Sequence, residues 1–270
     1  MEHAVLNNKV LMPMVGFGTW NLRGDDCIRA VETAASCGYR LFDTAIMYEN
    51  EAEVGCGIKN AGIPRENVFI TTKLDSSCNG YEQAKAGICR SLERMGAEYI
   101  DLFLVHEPYD RSPEMYRALC EAYESGLVRA VGVSNFNRRR LDSFLTECGI
   151  VPAVDQIESH VFYPQTELVA YLKERGITPQ AWTPLAQGKN SLFSNPVLKK
   201  LREKYGKTEA QIALRFLTQL GVAVAPKSSH ESRMRENLDI FDFTLRAEDM
   251  AAILRLDEGK TLSPWTEHWA

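Results

Sequence analysis

Short apolar runs alternate with longer amphipathic ones from one end of the chain to the other. MVGFG (14–18), RLFDT (40–44), VFITTK (68–73), YIDLFLVH (99–106), RAVGVS (129–134), AVDQI (153–157), TPQAW (178–182) and VAVAP (222–226) are strand-length and mostly β-branched or apolar, which predicts eight strands. Between them, stretches such as DDCIRAVETAASCG, YEQAKAGICRSLERMG and SPEMYRALCEAYESG repeat their apolar residues at helical intervals. Each closes on a glycine, the residue that most easily turns left-handed as a helix ends. Strand and helix alternating eight times predict a parallel sheet closed into a (β/α)8 TIM barrel. A doubly wound sheet would carry a Gly-rich fingerprint after its first strand, but GFGTWN lacks the third glycine. Ahead of that strand, VLNNKVLM reads as a β-hairpin about Asn7-Asn8 that would cap the barrel floor. No Pro/Ser-rich linker or low-complexity segment interrupts the pattern, so residues 1–270 read as one domain.

Composition narrows the class of function. A hydrophobic fraction of 45% and a charged fraction of 25% suit a globular chain, and a net charge of −5 points away from nucleic acid and anionic membranes as partners. The one basic cluster, Arg138-Arg139-Arg140, follows SNFN at a helix start and reads as a solvated face. The N-terminus lacks the basic start and apolar run of a signal peptide, and no window approaches the ~18 apolar residues of a membrane span. Seven cysteines form no C-x-x-C pair and fall mostly in helical-looking segments, where a thiol acts as a small hydrophobe. The chain therefore reads as cytoplasmic. Two GKT triplets lack the upstream P-loop glycine, and His106-Glu107 lacks the second histidine of a zinc motif.

In a barrel of this kind chemistry gathers at the C-terminal ends of the strands. Polar residues interrupt the apolar runs in those places: Asp43, Lys73, His106, Ser134-Asn135, Gln156, Trp182 and Lys227. Any one alone has a bland reading as a helix cap, a solvated strand end or a core histidine. Seven on one rim are harder to explain so. A phenol ionises near pH 10, so Tyr48 donates a proton readily only if something stabilises its anion. Lys73 is the candidate ammonium, Asp43 its counter-charge, and His106 a further hydrogen-bond donor. That set suits a carbonyl oxygen becoming an alcohol, and the hydride it needs must come from a nicotinamide.

At this point the sequence resembles a family. FDTAIMYENE, TTKL, LFLVHEP, VGVSNF, DQIESH, AWTPLAQG and APKSSHESRMRENLDIFDF match, in order and over nearly the whole chain, the pattern of the NADPH-dependent aldo-keto reductases, in a compact bacterial-type form. The resemblance implies a barrel enzyme that reduces an aldehyde or ketone with NADPH. Tyr48 would be the general acid, Lys73 and Asp43 would tune it, and His106 would orient the substrate. Ser134, Asn135 and Gln156 would bind the nicotinamide carboxamide, with Trp182 stacked on its ring. Gly18 and Thr19 would lie by the nicotinamide ribose, and Trp20 would form a pocket wall. Lys227, Ser228 and Arg233 would surround a 2′-phosphate, with Glu236 and Asn237 facing the adenine. The resemblance also favours a monomer acting on a small-molecule carbonyl substrate.

Departures from the pattern raise their own expectations. Glu107 stands where many members have Trp, so it either meets a polar or cationic substrate or closes a salt bridge on the rim. His230 stands in place of a second basic phosphate ligand, which would moderate affinity for the 2′-phosphate. The segment after His106 and the tail are short, so the pocket would be open unless Trp265 and Trp269 close it. Two other functions compete. An NADPH-binding regulatory subunit would have no need of the proton donor, and a metal-dependent hydrolase would need more His and carboxylate ligands than His106 and Asp43.

Overall fold

The computed structural model describes residues 2–269, the last three by backbone alone, so the expectation for the Trp269 side chain lies outside the described residues. β1 (His3–Val5) and β2 (Leu11–Pro13) pair antiparallel, forming the hairpin expected about Asn7-Asn8. Eight parallel strands follow: β3 (Phe17–Gly18), β4 (Leu41–Asp43), β5 (Phe69–Leu74), β6 (Leu102–Val105), β7 (Val131–Ser134), β8 (Val154–Glu158), β9 (Thr178–Trp182) and β10 (Ala223–Val224). Each pairs with its neighbours in sequence, and the ring closes where Val15 bridges Val224. Gly16 N–H donates to Val224 O at 2.8 Å, and Val224 N–H donates to Met14 O at 2.8 Å. A side chain cannot fit on the next turn of this seam, since a Cβ on Gly18 would lie 2.8 Å from Ala225 O.

Helices α1 (Gly24–Cys37), α2 (Glu51–Asn60), α3 (Tyr81–Met95), α4 (Ser112–Glu124) and α5 (Arg138–Phe144) wrap the first half of the barrel. α6 (Thr166–Glu174), α7 (Pro196–Tyr205), α8 (Glu209–Gln219), α9 (Glu231–Leu238) and α10 (Ala247–Leu254) complete the ring. Gly38 and Gly96, both left-handed, end α1 and α3 as their sequences predict. Asn137 caps α5 by accepting from Arg140 N–H, so Arg138-Arg139-Arg140 does open a helix.

The period-two alternation of the strands decides what faces the site. Leu41, Phe69, Leu102, Leu104 and Val154 point into the barrel and pack with Leu6, Met12 and Met14 of the hairpin segment, which plugs the floor. Phe42, Ile70, Phe103, Val133 and Ile157 point outward against the helices. Two or four residues beyond these inward hydrophobes, the same face carries Asp43, Thr71 and Lys73, His106, and Gln156. A single alternating pattern thus makes a dry floor below and a polar rim above. Several strands start later than their apolar runs suggest. In YIDLFLVH the continuous strand begins at Leu102, after an isolated parallel bridge between Ile100 and Val128, and Asp101, between Ile100 and Leu102, bonds with Arg65, Arg129 and Ile70 N–H at the N-terminal edge.

Candidate active site

Lys73 has no exposed side-chain surface, and its ammonium is the centre of the rim. It donates to Asp43 Oδ1 at 2.7 Å and Thr44 O at 2.8 Å, and more weakly to the Tyr48 hydroxyl at 3.4 Å. Burial opposes its charge, yet the Asp43 carboxylate and the Tyr48 hydroxyl outweigh that and hold its pKa above the usual lysine value. The other Asp43 oxygen accepts from Gln156 Nε2 at 2.7 Å, and that amide also reaches Gln180 Oε1 at 2.8 Å.

Tyr48 ends a single helical turn, Ile46–Tyr48, in the loop after β4. Buried Asn50 sets that loop: it accepts from Thr44 Oγ1 and donates to Thr19 O and Leu22 O, tying the loops after β3 and β4 together. The Tyr48 ring lies edge-on between Trp20 and His106, with centroids 5.0 and 5.7 Å away. Sequence reasoning expected Lys73 to lower the phenol's pKa. Lys73 does pull it down, but burial pulls harder and the net direction is up. His106 is buried and held neutral, since burial and the Lys73 charge both push its pKa well below 6.5.

Ser134 Oγ donates to Gln156 O at 2.8 Å. Asn135, left-handed at φ 63°, has both ends of its side chain engaged. Its amide nitrogen donates to both Glu107 oxygens at 3.1 Å, and its oxygen accepts from Trp182 Nε1 at 2.7 Å. Trp265 stacks on Trp182 with centroids 5.7 Å apart. Glu107 is 8% exposed and has no ion-pair partner among the described residues, so the rim salt bridge considered from sequence is not formed. Burial pushes its carboxyl up to about 8.

At the far end, Lys227 and Arg233 are exposed and pair with no acid among the described residues. Ser228 and Asn237 are buried beside them, and Glu236 accepts from Thr208 Oγ1. His230 precedes α9 and is exposed, outside the cavity wall. One cavity of about 1070 Å³ runs from Tyr48 to Arg233. Gly18, Thr19, Trp20 and every other residue singled out from sequence for catalysis or binding line it, Lys73 excepted, which sits beneath Asp43 and Tyr48. That volume is at the upper end of small-molecule sites.

Sequence reasoning gave no role to Asn50, although it lies within FDTAIMYENE, or to Gln180. It also missed Glu158, which accepts from Thr261 Oγ1 and from Leu262 N–H at 2.8 Å and so ties down the tail that carries Trp265.

The family model described as "Aldo/keto reductase family" matches residues 14–258. The chain is 43% identical to the glyoxal reductase of Bacillus subtilis, over 96% of this chain and 94% of that protein. It is 38% identical to the methylglyoxal reductase DkgA of Escherichia coli, over 94% and 93%. Among solved structures, MGS-M4, an aldo-keto reductase enzyme from a Medee basin deep-sea metagenome library, superposes with a TM-score of 0.94 at 41% identity, covering 96% of each chain.

The buried ion pair generates a stability prediction. Asp43→Asn leaves the Lys73 ammonium without its counter-charge and is expected to cost about 3–5 kcal/mol. Adding Lys73→Met removes the stranded charge and recovers much of that loss. Urea denaturation of the three proteins, compared with wild type, measures both steps.

Proposed function

The chain belongs to the aldo/keto reductase family, and from that premise we propose that it reduces small aldehydes and ketones with NADPH. In this reading Tyr48 is the general acid, and the whole chain acts as one cytoplasmic domain. The observation that carries the proposal is the Lys73 ammonium, buried between the Asp43 carboxylate and the Tyr48 hydroxyl under an open cavity. A protein that only bound the cofactor would have no use for a phenol placed over a desolvated cation.

The cavity's donor set fits a phosphorylated dinucleotide. Two cations that pair with no acid among the described residues, Lys227 and Arg233, flank buried Ser228, which is a setting for a phosphate monoester with Arg233 as a bidentate partner. Asn237 and Glu236 offer amide and carboxylate groups to an adenine edge. At the other end Ser134, Asn135 and Gln156 present hydroxyl and amide groups suited to a carboxamide, with Trp182 as an aromatic wall and Gly18 and Thr19 beside the ribose position. When bound there, the dihydronicotinamide supplies the hydride.

The chain's own residues do the rest. Tyr48, with its pKa raised, stays protonated through neutral pH and gives its proton to the oxygen of the carbonyl as that oxygen gains charge. The phenolate left behind lies against the Lys73 ammonium, whose charge is fixed before reaction by Asp43. Neutral His106 offers the carbonyl oxygen a hydrogen bond rather than a competing acid. Trp20 walls the substrate side. Glyoxal and methylglyoxal reductases among the relatives make small dicarbonyls reasonable members of the substrate set.

Following NADPH absorbance with a panel of aldehydes, ketones and dicarbonyls tests the reading. Tyr48→Phe is expected to lower turnover roughly 10²-fold or more while NADPH still binds. Binding of NADPH without oxidation by any carbonyl would favour a regulatory binder instead. For the coenzyme, Arg233→Ala is expected to weaken NADPH binding while leaving NADH binding nearly unchanged, measured by fluorescence titration. An unaltered NADPH/NADH ratio would remove Arg233 from the phosphate site.

A further inference from the structure

Glu107 is a buried acid that the proposed chemistry does not use. The contrast with Asp101, another buried acid of the same protein, shows what Glu107 lacks. Asp101 is satisfied on both oxygens by Arg65, Arg129 and the Ile70 N–H. The Glu107 carboxyl receives the Asn135 side-chain NH2 on its two oxygens, and no cation or backbone donor among the described residues. Of the other acids of the cavity wall, Asp43 is met by Lys73, Glu209 by Arg202 at 3.4 Å, and the half-buried Glu236 accepts from the Thr208 hydroxyl. A carboxyl this poorly satisfied inside a protein is costly to ionise, and a cation brought in from outside would relieve that cost.

The surroundings favour a particular kind of cation. Glu107 adjoins His106, against which the Tyr48 ring stands, and connects through Asn135 to Trp182. Trp20, 55% exposed, and Trp265, 51% exposed, stand at the same cavity and leave broad apolar faces open to an entering molecule. Aromatic faces and a carboxyl lining one cavity are the chemistry that holds an alkylammonium, through ring quadrupoles and a single counter-charge.

We propose that the substrates this cavity prefers are carbonyl compounds bearing an ammonium group, with Glu107 as the specificity-determining counter-charge. The proposal rests on the reductase reading and adds the substrate class to it. Protonation controls the preference. Around Glu107, burial favours the neutral carboxyl, while the Asn135 hydrogen bond and the Lys73 charge favour its ionised form; a charge on Glu107 in turn pushes Tyr48, Tyr109 and Asp155 upward, and neutral His106 lies next to it. Its carboxyl, pushed up to about 8, is uncharged below that pH and charged above it. Recognition of a permanent cation therefore strengthens as pH rises through about 8.

Two isosteric aldehydes test this: (trimethylammonio)acetaldehyde, whose charge does not titrate, and 3,3-dimethylbutanal, its neutral carbon analogue. With wild type at pH above 8, kcat/KM is expected to favour the cation about tenfold or more. That ratio should fall as pH is lowered through the same value. Glu107→Gln should bring the ratio to one or below, and the ratio cancels any general loss of activity in the variant. If Glu107→Gln does not fold, the wild-type pH dependence decides alone. A ratio near one with both aldehydes reduced, a ratio flat in pH, or a preference kept by Glu107→Gln overturns the assignment and leaves the reductase reading standing. If neither these aldehydes nor any carbonyl of the panel is reduced, the reductase reading falls and this inference falls with it.

Discussion

A lysine with no exposed side-chain surface is the constraint around which this barrel's rim is organised. An ammonium taken out of water costs several kcal/mol unless charge and hydrogen bonds replace its hydration. Lys73 can donate three hydrogen bonds, and three acceptors receive them: Asp43, Thr44 O and the Tyr48 hydroxyl. Each acceptor needs its own support. Asp43 is held from behind by Gln156, which is braced in turn by Gln180, so β4, β5, β8 and β9 contribute to one network. Tyr48 depends on Asn50, which fastens its loop to the loop after β3. The hairpin and the inward hydrophobes beneath keep the floor packed, so the charge is met from the sides and above.

A second network spreads from the rim toward the tail. Glu107, Asn135 and Trp182 form a chain of hydrogen bonds, and Trp265 stacks on its last member. Glu158 and His160 hold each other at 3.1 Å, and Glu158 also holds the tail at Thr261 and Leu262. Asn135 is therefore not a free amide in this structure. Its carboxamide is oriented by an acid on one side and an indole on the other, so a change at Glu107 reaches the residues proposed to meet the nicotinamide. In the proposed reading, the Lys73 network would supply the reactive groups and the Glu107 network would bear on which molecules reach them.

Much of this was legible in the sequence, for identifiable reasons. Strand periodicity needs only a few residues to show itself, so LFD already implies that Asp43 shares a face with Leu41, and the same logic places Lys73 and His106. The closed ring follows from eight such units. Less legible were pairings that depend on loop paths. Nothing in YEN announces that Asn50 will reach Thr19 and Leu22, and Gln180 looks like any polar residue in a strand. The direction of the Tyr48 shift was also hidden, since it depends on how deeply the phenol sits and not on which charges are near. Glu107 was visible as an anomaly, but whether it would find a cation on the rim was a question of three-dimensional packing.

The central claim is that Lys73 and Tyr48 act as one unit, the ammonium serving the reaction only through the phenol it supports. A double-mutant cycle on kcat/KM for carbonyl reduction, using Lys73→Met, Tyr48→Phe and the pair together, addresses it most directly. Groups that act as a unit are strongly non-additive. The account predicts that the double variant is about as impaired as the worse single variant. Losses that multiply, each residue acting regardless of the other, would contradict it.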